Sequence, residues 1–233
     1  AYWVHVVAAA LACLALVSLP EVERRSVAAG GGTTTLRAVV RAHLPVLRTL
    51  GLAVLLVGAV RASRQVVVPL WAEQLGLSPS ATSLMFGVSG AVDMLLFYPA
   101  GKVMDRYGRV FVAVPSMVVL GAAHLLLPLS AGVAGLLAVA VVMGLGNGMG
   151  SGIVMTLGAD ASPDLGRTQF LGAWRLCADA GNAAGPLAIS GVVAVSALGP
   201  AVLAMGAVSL VGAALLARWA PRFDPVERSG RRP

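Results

Sequence analysis

Charge is scarce in this chain: of 233 residues only 12% are Asp, Glu, Lys or Arg, against 58% hydrophobic. That is far too little polar surface for a soluble globule, so the sequence reads as an all-α integral membrane protein. The two cysteines, Cys13 and Cys177, both fall in apolar runs. Neither is placed for an extracytoplasmic disulfide or a metal cluster. His5, His43 and His124 stand at dissimilar places with no carboxylate cluster nearby, so no metal site and no nucleophilic triad is expected. The glycines between 144 and 152 imitate a dinucleotide fingerprint. They lack a preceding strand and a following acidic ribose partner, so no cofactor is expected. The net charge of +7 is divided among turns rather than gathered on one face, which argues against a nucleic-acid partner.

What the chain has in quantity is apolar runs near 20 residues. Seven are candidate membrane helices: about 1–20, 47–70, 82–100, 110–129, 132–156, 169–194 and 198–219. The basic residues sit in alternate linkers. Arg24, Arg25, Arg37, Arg41 and Arg48 crowd the first, Lys102, Arg106 and Arg109 the third, and Arg167 the fifth. Arg218, Arg222, Arg228, Arg231 and Arg232 fill the tail, while the second, fourth and sixth linkers contain no Arg or Lys. Under the positive-inside rule the basic linkers and the C-terminus lie in the cytoplasm of a multi-pass cell-membrane protein. Trp3, Trp71, Trp174 and Trp219 then fall at or near an interface, where an aromatic belt would put them.

The third linker, GKVMDRYGRV at 101–110, is the most specific stretch. Gly101 is read as ending the preceding helix without a side chain, and Gly108 as supplying the φ > 0 of a tight turn. Asp105 is an acceptor beside the next helix start. Arg106 and Arg109 are donors suited to lipid phosphates or to Asp105. A plain basic turn that only fixes topology is the bland alternative. Together Gly101, Asp105, Arg106, Gly108 and Arg109 fill the pattern Gly-x-x-x-Asp-Arg-x-Gly-Arg. In this the sequence resembles the major facilitator superfamily of secondary transporters, although Val110 replaces the basic residue that usually follows.

The resemblance implies two six-helix halves joined by a basic cytoplasmic linker. The first linker here, residues 21–45, carries Gly-Gly-Gly at 30–32 and looks like such a flexible joint. Counting from it implies that 1–20 is the last helix of a first bundle, 46–220 a second six-helix bundle and 221–233 a basic cytoplasmic tail. The chain, which begins in an apolar run at Ala1, is thus expected to be a fragment whose N-terminal half is missing.

Five ionisable residues lie inside apolar segments: Arg61, Arg64, Asp93, Arg175 and Asp179. Each costs at least roughly 2.5–3.5 kcal/mol at mid-membrane, so they should face the bundle interior and find partners. Arg61 lies roughly 16 Å, and Asp93 roughly 10 Å, from the cytoplasmic boundary, which suggests that the two pair. Arg175 and Asp179 are four apart and share a helix face, with Asp179 nearer the midplane. Two readings stand side by side: pairs that lock helices together, or the lining of a polar cavity for a proton or substrate. Asn147, in the glycine-rich run, could bond a neighbour or line the same cavity. Gly181 and Gly185 form a Gly-x-x-x-Gly contact face, and Pro186 breaks a backbone hydrogen bond one turn back. This run resembles the Gly-Pro motif of antiporter branches of the superfamily.

The function these features imply is secondary active transport by alternating access, as proton-coupled export of a small organic molecule. The expected partners are that substrate, protons, membrane lipid and the missing half. A seven-helix receptor or signalling protein is the alternative that the helix count permits. A membrane-embedded enzyme lacks any clustered His, Cys or carboxylate set.

Overall fold

The computed structural model describes residues 35–225, and every regular element among them is helical. Helix α1, Leu36–Ala42, begins on Thr35, whose hydroxyl accepts from the Ala38 amide and so satisfies one orphan donor. It lies within the stretch read as a flexible joint and packs on α7, Arg167–Val195. The run at 1–20 and the joint as far as residue 34 lie outside the described residues.

Helix α2 spans Leu44–Gln74, longer at both ends than the apolar run suggested, with a π-helical stretch at Leu47–Gly51. Helix α3, Pro79–Tyr107, starts on Ser78, which accepts from Ala81 N, with Pro79 at its first position where no amide is needed. It continues seven residues past the expected end at 100. Gly101 is therefore inside the helix, not at its end, and a Cβ there would meet nothing within 4 Å among the described residues. What ends α3 is Gly108, at φ 102°, a conformation that L side chains rarely adopt.

Helix α4 covers Val110–Leu129. The next expected helix, 132–156, is in fact two: α5, Gly132–Met149, and α6, Ile153–Ala161. The break falls where glycine is densest, with Gly152 at φ 84° turning the chain between them. Helices α7 and α8, Leu198–Trp219, complete the set.

Five stretches among the described residues are long and apolar enough to cross a membrane: α2, α3, α4, α5 with α6, and α8 with its last turn. Helix α7 has 29 residues but is not one of them. Arg175, Asp179, Asn182 and Pro186 lower the hydropathy of its run.

The strongest packing joins α2 to α7, α8 to α4 and α3 to α5, with α4 on α5 and α2 on α8 between them. Lipid is as apolar as leucine, so close packing rather than hydrophobic transfer holds such helices together, and small residues permit it. On α7, a Cβ at Gly181 would stand 2.0 Å from Leu55 O and one at Gly185 2.1 Å from Ala59 O, both backbone atoms of α2. On α5, Gly144 and Gly148 press in the same way on Ser89 and Asp93 of α3. Buried hydroxyls add cross-helix bonds: Ser89 donates to Ala140 O at 2.6 Å and Ser209 to Met117 O at 2.6 Å.

Helix α3 is the exception in burial. Its apolar window is 11% buried, against 44–50% for the other four, and Met94, Leu95, Phe97 and Tyr98 are exposed. Helix α7 also buries a single stripe, Phe170, Trp174, Ala178, Gly181, Gly185 and Ile189. Both helices keep one face free of any neighbour among the described residues.

Candidate functional site

The intramembrane charges converge where α2, α3, α5 and α7 approach. The ion pair of Asp93 is with Arg64, at 3.4 Å, and not with Arg61 as its depth suggested. Arg61 and Arg64 are three apart and share one face of α2, so either could reach an acid at that height. Asn147 decides between them. Its Oδ1 accepts from Arg61 Nε at 2.8 Å, and its Nδ2 donates to the Asp93 carboxylate. The asparagine thus bridges base and acid and keeps them apart. Arg61 Nη1 also donates to Gly150 O, at 3.2 Å, a carbonyl exposed by the break between α5 and α6. The glycines at 144–152 therefore do two things: they let α5 close on α3, and they open the backbone toward Arg61.

Arg175 donates through Nε to both oxygens of Asp179, at 3.1 Å each, the intrahelical pair that the four-residue spacing indicates. Both side chains are about half exposed, at 59% and 49%. Arg61, Arg64 and Arg175 all line one cavity of about 410 Å³, together with Asn147 and Asn182. Trp174 fixes one wall by donating from its ring nitrogen to Val154 O at 2.7 Å, which ties α7 to α6. Two neighbours had no sequence signal. Ser63 meets the Nε2 of buried His124 at 3.1 Å, joining α2 to α4, and Asn182 reaches the cavity from α7 beside Gly58.

A second cluster of contacts lies at the turn between α3 and α4. Arg109 donates to Asp160 through Nε at 2.9 Å, and through Nη1 to Asp105 at 3.0 Å and to Met104 O at 3.2 Å. One guanidinium so joins the C-terminal end of α3 to the last turn of α6. The loop thereby contacts a neighbouring helix of the bundle. Burial opposes the charge on Arg109, but the two carboxylates outweigh it and raise its pKa above the ordinary arginine value. Lys102 and Arg106 rest over the rings of Tyr98 and Tyr107.

Asp224 completes this turn. It is 1% exposed and accepts from the amides of Arg109, at 2.5 Å, and Val110, at 3.3 Å, so a residue from the tail caps α4. A Cβ at Gly108 would stand 2.5 Å from its Oδ2. Glycine is required there twice over, by its φ and by the close approach. The family model of the Major Facilitator Superfamily matches residues 50–233, from α2 through this capped turn to the end of the chain.

The chain belongs to the major facilitator superfamily. No curated protein matches it. Superfamily membership makes it a multi-pass membrane transporter of small molecules. The stretch from Gly101 through Asp105, Arg106 and Gly108 to Arg109, whose pattern resembles the superfamily's signature loop, is the end of α3 and the turn that follows it. In this member of the superfamily, Gly108 and Arg109 carry the turn's contacts, while Asp105 is mostly exposed, with 76% of its side chain accessible.

Proposed function

We propose that the chain forms one bundle of a secondary active transporter that works by alternating access and couples the movement of small organic molecules to protons. The observation that carries this reading is the relay of Arg61, Asn147, Asp93 and Arg64 within membrane-spanning helices. Helices α2 and α3 are consecutive yet share few other contacts, so the Arg64–Asp93 pair is a main tie between them. A proton on Asp93 removes that tie's charge and lets the two helices part. A neutral Asp93 would leave Arg64 an unpaired cation at membrane depth, so the two protonation states favour different arrangements. Asp93 thereby becomes the first candidate proton carrier. Asp179, nearer the middle of α7 and paired with Arg175, is the second.

Alternating access needs a second bundle on the far side of the cavity. The sparsely buried faces of α3 and α7 are where we place it, and the missing N-terminal half is the piece we assign to it. The direction we assign, export, comes from the Gly181, Gly185 and Pro186 run of α7. We assign the signature loop and the tail to the cytoplasm, a reading that their arginines support.

In the full-length protein reconstituted in vesicles, Asp93→Asn should remove the dependence of transport on a pH gradient while substrate exchange continues. Gradient-driven transport at the normal rate in that variant would move the proton to Asp179. If Asp179→Asn were also without effect, proton coupling would be wrong.

A further inference from the structure

We infer that the cavity between α2, α5 and α7 binds the carboxylate of a small organic monoanion, with Arg61 as its principal ligand. This rests on the transporter reading and adds the charge class of the substrate.

The argument begins with a count of charges. Three guanidinium groups, of Arg61, Arg64 and Arg175, line the cavity, and none of the lining residues is acidic. The two carboxylates nearby are each committed elsewhere, Asp93 to Arg64 and Asp179 to Arg175. Arg61 is held only by neutral acceptors, Asn147 Oδ1 and Gly150 O. The site therefore carries one positive charge in excess among the described residues. A partly buried, uncompensated cation is costly, and an incoming anion offsets that cost.

An independent observation concerns donors rather than charge. Arg64 is 8% exposed, and its Nε and Nη1 have no hydrogen-bond partner among the described residues. Buried donors of this kind are rarely left empty. A guanidinium N–H donates strongly to a carboxylate oxygen. The first turn of α6 reaches the same cavity through Gly152, Val154 and Met155, and Gly152 provides no side-chain cap, so the positive end of that helix adds to the field. A volume of about 410 Å³ with Ala62, Met155 and Ala178 in its walls leaves room for an apolar body beyond the charged group.

The test uses purified full-length protein and titration calorimetry with two probes of nearly equal shape, benzoate and its neutral counterpart benzamide. Benzoate should bind at least roughly tenfold more tightly. Arg61→Gln should abolish that preference, and Asn182→Asp, which places a carboxylate in the cavity with almost no change of shape, should abolish it as well. Equal affinity for the two probes, no saturable benzoate binding, or a preference that survives in both variants would overturn the inference. Tighter binding of phenyl phosphate than of benzoate would overturn the carboxylate assignment. The two readings fail separately in vesicles. Benzoate binding without transport of any solute would sink the transporter reading alone, and transport of benzamide but not benzoate would sink this one alone.

Discussion

Replacing Asp224 by alanine tests whether a tail residue holds the signature loop in place. The wild-type carboxylate is 1% exposed and accepts two amides at the start of α4, from Arg109 and Val110. Arg109, at the N-cap position, makes no side-chain cap of its own. Capping residues contribute about 0.5–2 kcal/mol over alanine, and hydrogen bonds to a charged acceptor about 1.5–3 kcal/mol. The ranges meet near about 2 kcal/mol, the expected loss for Asp224→Ala; Asp224→Asn, which keeps an acceptor, should lose about half of it. The assay is equilibrium unfolding in mixed detergent and SDS micelles, followed by tryptophan fluorescence. Gly108→Ala supplies the cross-check, because its Cβ would meet Asp224 Oδ2 at 2.5 Å. Part of its cost is that clash, and part is the strain of φ 102°, about 1–3 kcal/mol. In the Asp224→Ala background only the strain remains, so the two substitutions should be less than additive. A loss below about 0.5 kcal/mol for Asp224→Ala, or strict additivity, would refute the capping argument.

Gly185→Val on α7 forces a side chain against the Ala59 carbonyl of α2 and should cost at least about 1–3 kcal/mol in the same assay. Gly191→Val, on the same helix with open space around it, is the control, and an equal loss at both positions would disprove close packing as the cause. Cysteine introduced at Tyr107, which is 41% exposed, should be labelled by membrane-impermeant reagents from the cytoplasmic side only. Labelling from outside would invert the topology drawn from the arginines.

Much of the architecture was legible in the chain because a membrane leaves the backbone little choice. With no water to bond to, each spanning segment must close its own hydrogen bonds as a helix, and an apolar run near 20 residues is enough to reveal one. The runs at 47–70, 110–129 and 198–219 therefore reappear as α2, α4 and α8 with ends shifted by a few residues. Gly108 marks the end of α3 for an equally local reason, a positive φ. The pair Arg175–Asp179 is local too, being four apart on one helix.

Contacts between distant segments had no such signal. Arg61 and Arg64 present the same chemistry on the same face, and only the place of Asn147, 86 residues further on from Arg61, gives Asp93 to Arg64. Asp224, among the arginines of the tail, carries no local signal, because the amide of Arg109 that it accepts from lies 115 residues earlier. The break at Gly150–Gly152 had a sequence trace in its glycine density, but hydropathy averaged over the run concealed it. Local hydrogen bonding and hydropathy thus determined which segments are helices. Which charges meet was decided by tertiary packing, because it depends on how closely glycines let one backbone approach another.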